Sequence, residues 1–414
     1  MKGLSSWWLA FGLVLTAGCA SQGSLPSGEN GKPSPIDVDG DLEASVVWSV
    51  EATGPIEESL LKLEPLAEDG RVYVAGTDGR VSAFARDTGK LIWTRRHDAQ
   101  FSGGPGYGDG RLYLGTREAE VFALDADDGT VVWRQSVSSE ILSPPQQGGD
   151  RLVVQTNDGK VFGLRPDNGQ VVWVYNRTVP VLSLRGTAEP VLTRDRAVVG
   201  FANGRLAALS LLDGSVRWDQ PIAVPRGRSE LERMVDIDME PKILGDVVYT
   251  ATYQGRISAL SLKGGQVLWT RDMSAYLGVA VSGKRVYVVD EEGAVWSLDA
   301  DSGATVWRQD RLDGRISTAP VIMGDYVAVG ASEGSVYWLD RFDGRLVADV
   351  ALEDVSLRLS PTSLLAPSPK DYPGDVDLDR LHLHVDGVLG LNPVGRNLYV
   401  NYRNGLVASL RIEP

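Results

Sequence analysis

Arg71-Val72-Tyr73-Val74, then Thr77-Asp78-Gly79-Arg80-Val81-Ser82-Ala83-Phe84, then Asp87-Thr88-Gly89-Lys90-Leu91-Ile92-Trp93: this stretch carries the architecture of the whole chain. It contains three short runs of strand-forming residues, separated by turns that contain glycine. Alternation of period two marks strands, and Asp-Gly, Asn-Gly or Glu-Gly between them marks hairpins, because glycine accepts positive φ. Moving outward, the same order returns as Arg111-Leu112-Tyr113-Leu114, Val121-Phe122-Ala123-Leu124 and Asp128-Gly129-Thr130-Val131-Val132-Trp133. It returns again from Arg151 to Trp173, and further copies end at Trp218, Trp269 and Trp307. A seventh copy keeps Asp343-Gly344-Arg345-Leu346-Val347 but has Ala348 where tryptophan is expected. An eighth, from Asn397-Leu398-Tyr399-Val400 to Leu410, ends before its tryptophan strand.

Gly79, Ala119 and Gly159 occupy matching positions 40 residues apart. Each copy supplies four strands: one ahead of the Arg-Val-Tyr-Val run, that run, the Val-x-Ala-Leu run and the tryptophan run. Four short strands at this period predict propeller blades. The strand missing from the eighth copy is present near the N-terminus as Ser45-Val46-Val47-Trp48-Ser49. The expectation is an all-β, eight-bladed β-propeller of four-stranded blades, its ring closed by pairing N- and C-terminal strands, which removes two open sheet edges. Six of the repeat tryptophans follow a turn glycine by four residues, and Trp48 fills the same place in the closing blade. They read as core residues docking on the neighbouring blade's backbone, not as a sugar-stacking face.

The 414 residues carry a formal net charge of −14, which excludes nucleic acid as a partner through surface charge. A single cysteine, Cys19, follows a basic start and a short apolar run, Trp7 to Thr16, and is preceded by Leu15-Thr16-Ala17-Gly18. Residues 1–18 read as a bacterial lipoprotein signal peptide with Cys19 as the lipidated residue. The usual leucine three positions before the cysteine is Thr16 here, with Leu15 one place earlier. Residues 19–43 read as the lipidated cysteine and a flexible tether of about 25 residues, with an r.m.s. reach of ~25–30 Å. The propeller occupies 44–414.

Spacing singles out two connections. Between the tryptophan of one blade and the second strand of the next lie 19 positions from Trp93 to Leu112 and again from Trp133 to Leu152. From Trp173 to Ala197 there are 24, and from Trp218 to Val247 there are 29. These two crossovers are adjacent in the ring and leave their blades on one face. Long loops on a rigid scaffold are where binding concentrates. They contain Leu182, Leu184 and Arg185, and Asp236 and Asp238, which suit a protein interface of apolar anchors ringed by charge. The two aspartates would either pair with a basic residue of a partner or brace Arg185. An insertion of about 367–392 in the last blade is expected after that blade's innermost strand, hence on the opposite face. Its Asp375, Asp377 and Asp379 lack the rest of a calcium loop, and its His382 and His384 are too few for a metal site. No catalytic constellation, metal site or cofactor site is expected.

The phrase Asp-x-Thr/Asp-Gly-x-x-x-Trp resembles the tryptophan-docking repeat of pyrroloquinoline-quinone (PQQ)-like propellers. The quinoprotein dehydrogenases of that group are enzymes with a vicinal cysteine pair, and the mature part of this chain has no cysteine beyond Cys19. The lipoprotein signal, the length, the eight repeats and the segments Leu182-Ser183-Leu184-Arg185-Gly186 and Ser229 to Asp238 are similar to the BamB family. Those are propeller lipoproteins of the outer-membrane β-barrel assembly (BAM) machinery. The resemblance implies a non-catalytic scaffold in the outer membrane, facing the periplasm, with Ala20 after the cysteine directing it there. It implies docking on the periplasmic POTRA domains of BamA within the BAM complex, with unfolded outer-membrane proteins as further partners. The alternatives are a PQQ-dependent dehydrogenase-like propeller and a cell-envelope propeller that binds a polysaccharide or another partner.

Overall fold

A computed structural model describes residues 36–40, 42–56, 61–180, 187–224, 228, 234–351 and 387–413. They form eight antiparallel sheets of four strands each. Blade one consists of Leu66–Glu68, Arg71–Ala75, Arg80–Ala85 and Leu91–Arg96, hydrogen-bonded in chain order. Blades two to seven repeat this order over 101–136, 146–176, 191–221, 242–272, 279–309 and 321–351. Blade eight consists of Val388–Val394, Asn397–Tyr402, Leu406–Glu413 and, as its outermost strand, Glu43–Glu51. First strands of successive blades touch one another, so they line the axis of the ring. The ring closes as expected: Ala44 pairs with Ile412, and Trp48 with Ser409.

Second and third strands are buried nearly throughout, as in Arg71–Ala75 and Glu120–Asp125, because both faces of a blade pack on neighbouring blades. Alternation therefore survives mainly in the fourth strands, where Ile92, Val132 and Val172 face outward. The tryptophans between them turn inward. Trp48, Trp93, Trp133, Trp173, Trp218, Trp269 and Trp307 each donate their indole N–H to a backbone carbonyl of the next blade, at 2.8–3.1 Å. Each ring also lies flat on the turn glycine of that blade. At Gly214 a Cβ would sit 2.7 Å from the Trp173 ring, and φ is +71°, so the turn needs glycine on both counts.

The exception at Ala348 has a structural cause. Its docking partner would be the turn between the third and fourth strands of blade eight. Those two strands come from opposite ends of the chain, so no such turn exists. Elsewhere the fourth-strand tryptophan faces a small residue on the third strand, as Trp93 faces Ala83 and Trp173 faces Gly163. In blade seven the pair is reversed: Trp338 faces Ala348, and Trp338 is fully buried. The rim there is met by the residues ahead of Glu43. Asp39 donates its backbone N–H to Leu346 O at 2.9 Å and pairs with Arg311 at 2.6 Å, while Gly40 rests on the backbone of Val347.

Candidate docking face

Within every blade the chain runs from the axis to the rim. Each link from a fourth strand to the next first strand therefore opens on one face, with the turns between second and third strands. The two long crossovers share this face. Residues 352–386 leave blade seven's outermost strand, Leu346–Ala351, and enter blade eight's innermost strand, Val388–Val394. They form the same kind of link, so the insertion opens on the face of the long crossovers and not on the opposite one. Residues 388–392 of the supposed insertion belong to that innermost strand. Asp375, Asp377, Asp379, His382 and His384 lie outside the described residues, as do Cys19, Leu182, Leu184 and Arg185.

The described arms of the two crossovers meet. A Cβ on Gly200, at the end of blade four's second strand, would lie 2.4 Å from Ile237 Cγ2 and 3.0 Å from Ala188 Cβ. Ala188 and Ile237 come from different crossovers and are both fully buried, so a glycine is what lets them converge. Ile237 donates its N–H to Phe201 O at 3.3 Å, and Asp236 O accepts from Tyr253 N at 3.0 Å. On the other crossover Thr187 Oγ1 donates to Ser143 Oγ at 3.1 Å. The described parts of these loops are thus braced before they reach solvent.

Asp236 and Asp238 lie beneath the face. Asp236 is 2% exposed. Both carboxylate oxygens of Asp238 are buried and have no hydrogen-bond partner among the described residues. Burial, reinforced by the neighbouring Asp236 and opposed by Lys62, pushes the Asp238 carboxyl up to about 7. Below it, the channel walls carry a charged cluster that spacing alone did not reveal. It comprises Lys62 and Glu64 ahead of blade one, Glu189 ahead of blade four, and Glu240 and Lys242 at blade five. Glu64 is crowded by surrounding protein, and this desolvation, ahead of the opposing pull of Lys62, raises its carboxyl. Glu189 is raised by burial and then by Glu240 and Glu64, and accepts a hydrogen bond from Gln146 Nε2 at 2.5 Å. Lys242 is ion-paired with Glu240.

A second network braces the root of the first long crossover. Arg177 pairs with Asp219, which Arg205 also holds at 2.9 Å, and its guanidinium lies 5.1 Å from the Phe201 ring. His97 packs edge-on against Phe101 and Phe122, and burial lowers its pKa ahead of the effects of Arg134 and Arg95, so it behaves as a core residue. Among the described residues no group of three or more histidine, cysteine or acidic side chains is arranged to hold a metal, and no helix is long and apolar enough to cross a membrane.

A closed propeller with tryptophan-locked blades and two reinforced crossovers on one face belongs to the class of rigid PQQ-like repeat scaffolds. The family model described as outer membrane protein assembly factor BamB matches residues 41–100, 77–309 and 294–362. The chain belongs to the BamB family of outer-membrane protein assembly factors. It is 50% identical over 335 residues to the BamB of Alkalilimnicola ehrlichii, covering 81% of this chain and 86% of the relative. With the BamB of Pseudomonas aeruginosa it shares 49% identity, covering 72% and 79%. The crystal structure of BamB from Moraxella catarrhalis superposes with a TM-score of 0.74 at 25% identity, covering 89% of this chain and all of that one. A quinohemoprotein alcohol dehydrogenase from Comamonas testosteroni superposes with a TM-score of 0.65 at 12% identity, which is a likeness of fold alone. The curated relatives named above are assembly factors rather than enzymes.

Proposed function

We propose that this chain is a lipid-anchored scaffold of the BAM complex, held in the outer membrane by Cys19 and facing the periplasm. It docks on the POTRA domains of BamA through the face that carries its two long crossovers. The observation that supports this most is the convergence of the described arms of both crossovers over Gly200. A pair of braced loops on a rigid ring is a preorganised interface, and preorganisation lowers the ordering cost of binding. Leu182 and Leu184 supply apolar anchors, and Arg185 reaches a carboxylate or carbonyl of the partner. Asp238, bare and buried, stands ready for a basic group from the partner or from Arg185. Unfolded outer-membrane proteins are further candidate partners.

The anchor and the partnership are tested in one experiment. Tagged chain is purified from detergent-solubilised outer membranes, beside a Cys19→Ala version. The wild-type chain is expected in the membrane fraction together with BamA, and the variant in the soluble fraction, because one buried acyl chain is worth ~0.8 kcal/mol per methylene. A Cys19→Ala protein that stays with membranes depleted of BamA contradicts the anchor. Wild-type chain recovered without BamA contradicts the partnership.

A further inference from the structure

Lys62 makes a contact that the docking reading does not require. Its backbone is fixed to blade two, where it bridges Gly103 and accepts from Gly104 N at 3.0 Å. Its side chain then crosses the channel. Lys62 Nζ donates to the backbone carbonyl of Asp238 at 2.5 Å. Asp238 leads into blade five, four blades from blade one in a ring of eight and therefore on the opposite wall. Five carboxylates stand in this region: Glu64 on blade one's lead-in, Glu189 on blade four's, and Asp236, Asp238 and Glu240 on blade five's. The ammonium of Lys62 and that of Lys242 are set against them, and Lys242 is engaged by Glu240. An amine that served only to neutralise acids would settle on a carboxylate. Lys62 gives its hydrogen bond to a main-chain oxygen instead, which fixes the position of a backbone.

We propose that Lys62 is a positioning residue of the docking face: it ties the returning arm of the fourth-to-fifth crossover to the far wall of the channel and so places Asp238. This rests on the reading of that face as the docking surface. The tie also has an electrostatic consequence. Lys62 lowers the titration of Asp238, Glu64 and Glu189, against burial and against Asp236 and Glu240, which raise it. Without Lys62 all three carboxyls take up protons at higher pH.

Hydrogen exchange on the full chain tests the tie without any partner. In Lys62→Met, amides of 235–240 should exchange about tenfold faster or more, while Val247–Ala251 in blade five keeps its protection. Lys62→Met with Glu64→Gln restores the charge balance but not the tie, and guards against collapse of the acidic channel. Exchange in 235–240 should stay fast in this double variant, and Lys62→Arg should recover most of the protection. Wild-type protection in the double variant overturns the proposal, because Lys62 then only neutralises charge. Wild-type exchange in Lys62→Met overturns it as well. A second readout uses isolated POTRA domains of BamA. Affinity should fall as pH drops through about 7, with the midpoint moved upward in Lys62→Met. Absence of any wild-type binding would sink the docking reading, while the exchange data would still judge the tie.

Discussion

At the scale of single residues, the tryptophans join one blade to the next. Each buries a large ring on a glycine turn and satisfies its N–H on a neighbour's carbonyl, so its loss leaves both a cavity and an orphaned acceptor. Trp173→Ala is expected to cost ~3–5 kcal/mol in chemical unfolding. Gly214→Ala, which places a methyl group on the same ring at positive φ, should destabilise the same contact. A loss below ~1 kcal/mol in Trp173→Ala would mean that the docking is incidental. Asp238 behaves in the opposite way. Its folded carboxyl titrates near 7, far above the ordinary 3.8. Between those values the folded state holds a proton that the unfolded state has lost, so stability falls as pH rises through the window. Above about 7 the ionised group is a buried, unpartnered charge. Asp238→Asn should therefore be more stable than wild type at pH 8, by ~1–3 kcal/mol, and indistinguishable near pH 4. Urea unfolding at both pH values checks this, and parallel pH profiles for the two proteins would contradict it. Retaining so costly a carboxylate suits a group kept for binding.

At the scale of strands and blades, the sequence made the repeat legible because the turn glycine and the tryptophan recur in register. What it hid was cross-strand pairing. Trp338 stands at the small-residue position of its Val-x-Ala-Leu run, and only the pairing of the two strands shows that it lies opposite Ala348 and reverses the large and small partners. The insertion was misplaced for a related reason. Val388–Val394 carries Gly390 and Pro393 and has few strand signals, so the innermost strand of blade eight read as loop. The charged channel was equally invisible, because Lys62, Glu64, Glu189 and Glu240 come from irregular lead-in segments that only ring closure brings together. The seam yields a prediction of its own. Ala348→Trp restores the consensus, but no turn waits to receive the ring, and Ala348 is 2% exposed. It should destabilise by ~1–3 kcal/mol through overpacking. A rise in melting temperature would show that blade eight can receive a tryptophan after all.

At the scale of the whole molecule, the ring is a rigid body, and the long crossovers give one of its faces a distinct character. The family follows from the matched sequence, and the face from topology, spacing and the convergence over Gly200. Leu182, Leu184 and Arg185 were singled out from spacing and from resemblance to the family, and their part remains a proposal. Arg396, exposed on the turn between the first two strands of blade eight, lies on the opposite face and serves as a matched control. The most direct test is calorimetric titration of the full chain with isolated POTRA domains of BamA, for wild type, Leu184→Ala, Arg185→Ala and Arg396→Ala, each confirmed folded by circular dichroism. The docking face predicts losses of roughly thirty-fold, ~2 kcal/mol, for the first two variants and wild-type affinity for Arg396→Ala. Unchanged affinity in both Leu184→Ala and Arg185→Ala would contradict it.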